Sequence, residues 1–156
     1  MPKVIFKFDK EKDLWNNWAT INYKSPWEPN MMEEINKKFA VLSNMCYEKK
    51  LEECKADLER FYEEFYTSPL IEIIVKAYQE SWNKINDEYF KRMEKIFKKK
   101  FPFKKVTAYM TTQMRCPYDP KEPSFMVSFF SNIFHSMKTC GHELMHIFLH
   151  NTYWKD

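Results

Sequence analysis

Histidines are concentrated in one short stretch near the end of this chain. Residues 139–150 read TCGHELMHIFLH and contain three of the four histidines, His142, His146 and His150, spaced four apart. On an α-helix, four residues advance a side chain by about 400° and about 6 Å, so His142 and His146 would lie one above the other. Two imidazole nitrogens placed in this way can bind one zinc ion, each at about 2.0–2.1 Å. The spacing therefore predicts a pair of metal ligands on a helix.

Glu143 directly follows the first of these histidines and points about 100° away from it on a helix. A carboxylate there can lie beside the metal and take a proton from water that the metal has made more acidic. The pattern His-Glu-x-x-His needs these residue types at this spacing for that reason. We therefore predict zinc as the cofactor, His142 and His146 as its ligands, and Glu143 as the catalytic general base.

The remaining histidines are poor candidates for a third ligand. His150 lies about 12 Å from His142 along a helix axis, and His135 lies about 10.5 Å away in the other direction. A straight helix cannot bring three such rings to one ion. Both residues share the face of the pair, so they are predicted to support the ligands, contact substrate or remain exposed.

Gly141, beside His142, is the only glycine in the chain. One glycine excludes the glycine-rich loops that bind nucleotide phosphates. A glycine inside a helix costs about 1 kcal/mol relative to alanine. Gly141 is therefore either a tolerated small residue or a position that another backbone or the substrate approaches closely.

The segment His142-Glu143-Leu144-Met145-His146 resembles the signature of the zincin metallopeptidases. The longer run HELMHIFLH is similar to the form found in ImmA/IrrE-type metallopeptidases, and the resemblance covers about the last 50 residues. It implies a zinc-dependent peptidase acting on a peptide or protein substrate. In zincins, a strand at the sheet edge before the active-site helix aligns an extended peptide, and residues 124–130 (SFMVSFF) occupy the similar place here.

The resemblance leaves the third zinc ligand open. Metzincins place a glycine six residues and a histidine or aspartate ten residues after the first histidine, but Phe148 and Thr152 stand there. A gluzincin-like third ligand would be a glutamate on a later helix. We expect the chain to be C-terminally incomplete and therefore to lack that helix. In the alternative, an upstream acid (Glu88, Glu94 or Asp119) or the terminal Asp156 completes the site, or the site is degenerate.

The surrounding pattern predicts an α+β fold for one zincin-like domain spanning 1–156. Alternation of apolar residues and lysine predicts a strand at 3–9, and β-branched and aromatic residues predict strands at 106–113 and 124–130. Asp9 can cap a helix over 10–21, and Ser131 or Ser136 can cap the histidine helix. Three-four spacing predicts one bent helix or two helices over 31–66 and one helix over 69–100, and we expect the two segments to form a long hairpin. The strand pair and the histidine helix occupy 104–156.

Composition restricts the partners. Residues 91–105 carry eight lysine or arginine residues and one glutamate. We interpret this cluster as a helix end whose lysines oppose the macrodipole, which makes nucleic-acid binding unlikely. No stretch resembles a signal peptide or a membrane span, so we predict a cytoplasmic protein with reduced cysteines. The alternative function is a non-catalytic module that binds a protein partner through helices 31–100.

Overall fold

The computed structural model describes residues 1–24, 34 and 37–154, and its fold is α+β, as predicted. In this part of the chain the elements are, in order, β1 (Lys3–Phe8), α1 (Lys10–Ile21), α2 (Ala40–Cys46), α3 (Leu51–Phe61), α4 (Glu63–Tyr66), α5 (Leu70–Asn83), α6 (Asn86–Phe97), β2 (Lys105–Thr111), β3 (Tyr118–Asp119), β4 (Ser124–Ser128) and α7 (Ile133–Thr152). The three predicted strands are confirmed, and so is the helix that Asp9 caps by accepting a hydrogen bond from the Lys12 amide.

The four strands form one mixed sheet in the order β1-β2-β4-β3. β1, β2 and β4 run parallel, and β3 pairs antiparallel with β4. Register aligns the apolar positions on one face, since Phe6 pairs with Ala108 and Ala108 pairs with Phe125. The small alanine leaves room for the two phenylalanine rings on either side, and all three side chains are buried.

Helices α5, α6 and α7 cover this apolar face. Ile71, Tyr78 and Trp82 of α5 belong to the same buried cluster as Val106 of β2 and Leu144 of α7. The face would otherwise expose a large apolar surface to water, and burying it is the main contribution to folding. The histidine helix thus contributes Cys140, Leu144, Ile147 and Phe148 to the core that covers the sheet.

The predicted hairpin between 31–66 and 69–100 is wrong for the described residues. Helices α2 and α3 pack instead on α1, where Leu42, Cys46 and Leu58 form a second apolar cluster with Leu14 and Ile21. The buried apolar side chains of α5 pack on the sheet and not on α2 or α3. Residues 31–33, 35 and 36, at the start of the predicted helix, lie outside the described residues.

The second predicted helix, 69–100, is also interrupted. It divides at Lys84 and Ile85, and Ile85 is exposed. Asn86 is buried at the break. Its side-chain oxygen accepts a hydrogen bond from the Trp82 indole (2.9 Å), and its side-chain nitrogen donates one to the Pro2 carbonyl (2.9 Å). These contacts hold the start of α6 as a separate helix, which three-four spacing alone does not reveal.

No helix within the described residues is both long and apolar enough to cross a membrane.

The four cysteines are free, as predicted, although Cys116 is only half-buried while the other three are buried. Lys98 ends α6 in the left-handed conformation, in agreement with the predicted helix end in the basic segment.

Candidate metal centre

Helix α7 carries the predicted site and begins at a different cap from the one predicted. Asn132 is the N-cap, and its side-chain oxygen accepts a hydrogen bond from the His135 amide (2.9 Å). Neither Ser131 nor Ser136 caps the helix. Ser136 is fully buried one turn later and bonds to the Tyr78 hydroxyl, while the Ser131 carbonyl accepts a bond from that hydroxyl. Tyr78 of α5 therefore fixes the start of α7.

His142 and His146 face each other on consecutive turns of α7. Their Nε2 atoms are 2.9 Å apart and their ring centroids 4.5 Å apart, with the ring planes at 83°. Tetrahedral zinc with Zn–N distances near 2.05 Å would separate the two nitrogens by about 3.3 Å. The pair fits one ion after a slight opening of the rings. His142 is exposed and His146 is half-buried.

Glu143 lies on the inner side of this pair. Its side chain is 8% exposed, and burial raises the pKa of its carboxyl to about 7. The carboxylate is close enough to Cys116 and Tyr118 to raise the pKa of both groups, although burial is the larger cause for each. A carboxyl with this pKa can exchange protons near neutral pH, as a general base must.

Tyr118 and His150 form a second contact pair beside the first. The Tyr118 hydroxyl shares a hydrogen bond of 2.7 Å with His150 Nε2. The Tyr118 ring stacks on the His146 ring, with centroids 4.8 Å apart and planes at 7°. Trp154 closes this group, since its indole meets His150 edge-on at 5.0 Å. His150 is thus hydrogen-bonded to Tyr118. His135, the fourth histidine, is exposed at the start of α7.

The upstream acids proposed as third ligands are engaged elsewhere. Glu88 pairs with Arg92 on α6 (2.7 Å). Glu94 lies beside the first residues of the chain and the segment 100–104. One carboxylate oxygen of Asp119 accepts hydrogen bonds from the backbone amides of Lys121 and Glu122 (2.8 and 3.1 Å), and these bonds stabilise the turn between β3 and β4.

The alternative that one of these acids completes the site stays a prediction, since the described residues do not group any of the three with the histidine pair. Within residues 1–24, 34 and 37–154, no three His, Cys, Asp or Glu side chains are grouped so as to hold a metal ion. Asp156, the other candidate, lies outside the described residues. The described chain supplies a two-histidine donor set.

The predicted sheet edge is also different. β4 precedes α7, as expected of a substrate-aligning strand, but β3 covers its first residues: Tyr118 pairs with Phe125, and the Met126 amide donates to the Pro117 carbonyl (2.9 Å). The outermost strand beside the histidines is therefore β3. The sequence did not indicate β3, because this strand lies in a proline-rich segment that lacks the alternation typical of strands. Only its pairing with β4 in the structure identifies it.

Gly141 makes room for an aromatic side chain. A Cβ atom at this position would lie 3.1 Å from Cε2 of Tyr89, and the Tyr89 hydroxyl donates to the Gly141 carbonyl (2.6 Å). The close approach anticipated from the sequence is real, but the neighbour is a tyrosine of α6. Tyr89 is itself held between Trp82 and Phe90, with centroid distances of 5.4 Å to each.

Replacing Gly141 with alanine is expected to destabilise the protein by about 1 kcal/mol. Alanine gains about 1 kcal/mol in helix propensity, but adding a methyl group to a packed site typically costs about 1–3 kcal/mol. Urea unfolding measures the difference. In a Tyr89→Leu background the overlap is absent, and the same substitution should become stabilising. A stabilising Gly141→Ala in the native background would show that Tyr89 moves freely.

Tyr118, Cys116 and Tyr89 are site residues that the sequence did not indicate. Tyr118 lies in a proline-rich segment 32 positions before His150, so no local periodicity connects them. Trp154 had a weak signal, because it stands four residues after His150 in the same register as the histidines.

Comparisons with known proteins add no family assignment. No protein-family model matches the chain, and neither the curated proteins nor the solved structures contain a significant match.

Proposed function

We propose that this protein is a zinc-dependent peptidase of the zincin type, in which His142 and His146 bind the metal and Glu143 is the general base. The observation that carries the proposal is the geometry of α7, where two Nε2 atoms lie 2.9 Å apart beside a buried glutamate. The family pattern His-Glu-x-x-His supports the same assignment.

The donor set fits zinc in chemistry as well as in spacing. Neutral imidazole is a preferred zinc ligand, and burial together with the nearby His142 and His150 lowers the pKa of His146, which keeps its ring neutral. Catalytic zinc sites normally have three protein ligands, so a two-histidine set predicts weak binding. Bound zinc would polarise a peptide carbonyl and acidify a water molecule.

Glu143 supplies the proton chemistry. Its carboxylate takes a proton from the water that attacks the peptide carbonyl. The same proton is then available for the amide nitrogen that leaves when the C–N bond breaks. A pKa of about 7 allows the group both to accept and to return a proton near neutral pH.

Metal titration tests the donor pair directly. We expect the wild-type protein to bind one equivalent of Zn²⁺, measured by calorimetry and by equilibrium dialysis against a known concentration of free Zn²⁺. His146→Ala removes a ligand and should weaken binding by more than the 10–100-fold that loss of a supporting partner causes.

His135→Ala is the matched control, because His135 lies on the same helix but is exposed and distant from the pair. Its Zn²⁺ affinity should equal that of the wild type. Absence of Zn²⁺ binding by the wild type, or equal losses in both variants, would overturn the proposal.

The alternative is a non-catalytic module that binds a protein partner through residues 31–100. The observation that favours it is the set of exposed apolar side chains on α5 and α6, of which Leu70, Ile73 and Ile96 are 58%, 62% and 72% exposed. Under this alternative, the Glu143→Gln variant still binds the protein partner, while the double variant Leu70→Ser, Ile73→Ser does not.

A further inference from the structure

His146 lacks the usual means of orientation for a metal-binding histidine. Such a ring normally donates its second nitrogen to a carboxylate, carbonyl or water, which fixes both tautomer and angle. Nδ1 of His146 is buried and has no hydrogen-bond partner among the described residues. Another contact must therefore set the direction of this ring.

Tyr118 makes that contact. Its ring lies nearly parallel to the His146 ring, at 7° and with a centroid distance of 4.8 Å. A stacked neighbour at this distance blocks rotation of the imidazole about its Cβ–Cγ bond, since the rotating edge would collide with the tyrosine face. In the ring plane that the stacking fixes, Nε2 of His146 lies 2.9 Å from Nε2 of His142.

Tyr118 is in turn fixed at both ends. Its backbone belongs to β3 and pairs with Phe125 of β4. Its hydroxyl bonds to His150 Nε2 (2.7 Å), and Trp154 packs edge-on against the His150 ring. His150, one turn beyond His146 on the same helix, thus connects the tip of Tyr118 to the helix that carries the ligands.

We infer that Tyr118 is the positioning residue of His146 and that His150 anchors Tyr118, so that aromatic stacking replaces the missing Nδ1 hydrogen bond. The inference rests on the proposed function where it concerns metal affinity. The orientation of the ring, however, is a property of the metal-free protein and can be tested separately.

Cobalt binding tests the effect on the ligand pair, because Co²⁺ occupies zinc sites and has a visible spectrum that depends on ligand geometry. Tyr118→Leu removes the stacking ring and should weaken Co²⁺ binding about 10–100-fold, as loss of a supporting partner does. Tyr118→Phe keeps the stacking ring but loses the hydrogen bond to His150, so it should weaken Co²⁺ binding less than Tyr118→Leu does, with the spectrum of the wild type. His150→Leu removes the same hydrogen bond and should resemble Tyr118→Phe.

Tyr109→Leu is the matched control. Tyr109 is a half-buried tyrosine of the neighbouring strand β2, and its ring contacts Lys7 and Lys12. Its replacement should leave Co²⁺ affinity and spectrum unchanged. Circular dichroism and thermal unfolding of each variant separate a local change from loss of the fold, and Tyr118→Phe remains informative if Tyr118→Leu unfolds.

Proton NMR of the metal-free protein gives the second readout. The imidazole C–H resonances of His146 should be shifted upfield by the Tyr118 ring in the wild type and in Tyr118→Phe, and should lose that shift in Tyr118→Leu. Unmoved His146 resonances, or a Tyr118→Leu protein that binds Co²⁺ like the wild type, would overturn the inference. If the wild type binds no Co²⁺ but the resonances move as expected, the proposed function fails and the positioning of His146 stands.

Discussion

Replacing Glu143 with glutamine should lower peptide hydrolysis by about 10²–10⁴-fold, the range that a positioned general base contributes. Glutamine has nearly the same shape but cannot accept the proton of the attacking water. Because Glu143 is not a metal ligand in this proposal, the variant should bind Zn²⁺ with wild-type affinity. Hydrolysis is measured on a mixed peptide library with Zn²⁺ supplied, and the products are identified by mass spectrometry.

The combination of lost hydrolysis and kept metal is the distinctive result. Glu122→Gln, at an exposed glutamate of the turn between β3 and β4, is the matched control and should be fully active. Equal hydrolysis by wild type and Glu143→Gln would show that the measured activity does not use this site. A wild-type protein that binds Zn²⁺ and hydrolyses no peptide would retain the metal site and reject the peptidase.

Replacing Asp13 with alanine should destabilise the protein by about 3–5 kcal/mol, among the largest losses that single substitutions cause. Asp13 is fully buried on α1 and accepts four hydrogen bonds. Oδ1 accepts from the Thr111 hydroxyl (2.6 Å) and the Thr112 amide (2.7 Å). Oδ2 accepts from the Tyr66 hydroxyl (2.8 Å) and the Thr112 hydroxyl (2.9 Å). Alanine leaves these donors buried without an acceptor.

Asparagine at the same position should cost about half as much. Its amide nitrogen can replace Oδ2, because the Tyr66 and Thr112 hydroxyl groups can rotate to accept a hydrogen bond. Its oxygen can replace Oδ1 and keep the bond from the Thr112 amide. Urea unfolding at constant m-value measures both variants.

Asp9→Ala is the control for Asp13→Ala, since it removes the same side chain from the cap of the same helix. Loss of a cap costs about 1 kcal/mol. An Asp13→Ala loss no larger than that of Asp9→Ala would mean that the buried network contributes little. The network also concerns the site, because Thr111 ends β2 and Thr112 follows it where the chain departs toward Cys116 and Tyr118.

Local sequence determined the parts of this protein that depend on neighbouring residues. Helix geometry is set by hydrogen bonds between residues four apart, so the spacing of His142 and His146 was sufficient to predict that their rings meet. The Asp9 cap and the three strands, predicted from alternation or from β-branched and aromatic content, follow from equally short-range rules. The position of Glu143 next to this histidine pair follows from the sequence for the same reason.

Only the tertiary structure decided which faces and side chains meet across the chain. The stripe of α5 could have covered either a helix or the sheet, and in the fold it packs together with α6 and α7 on the apolar face of the sheet. Tyr118 reaches His146 and His150 through the pairing of β3 with β4, and Asp13 reaches Thr112 across 99 positions. Such contacts depend on the competition of all surfaces for burial, which no short window of sequence contains.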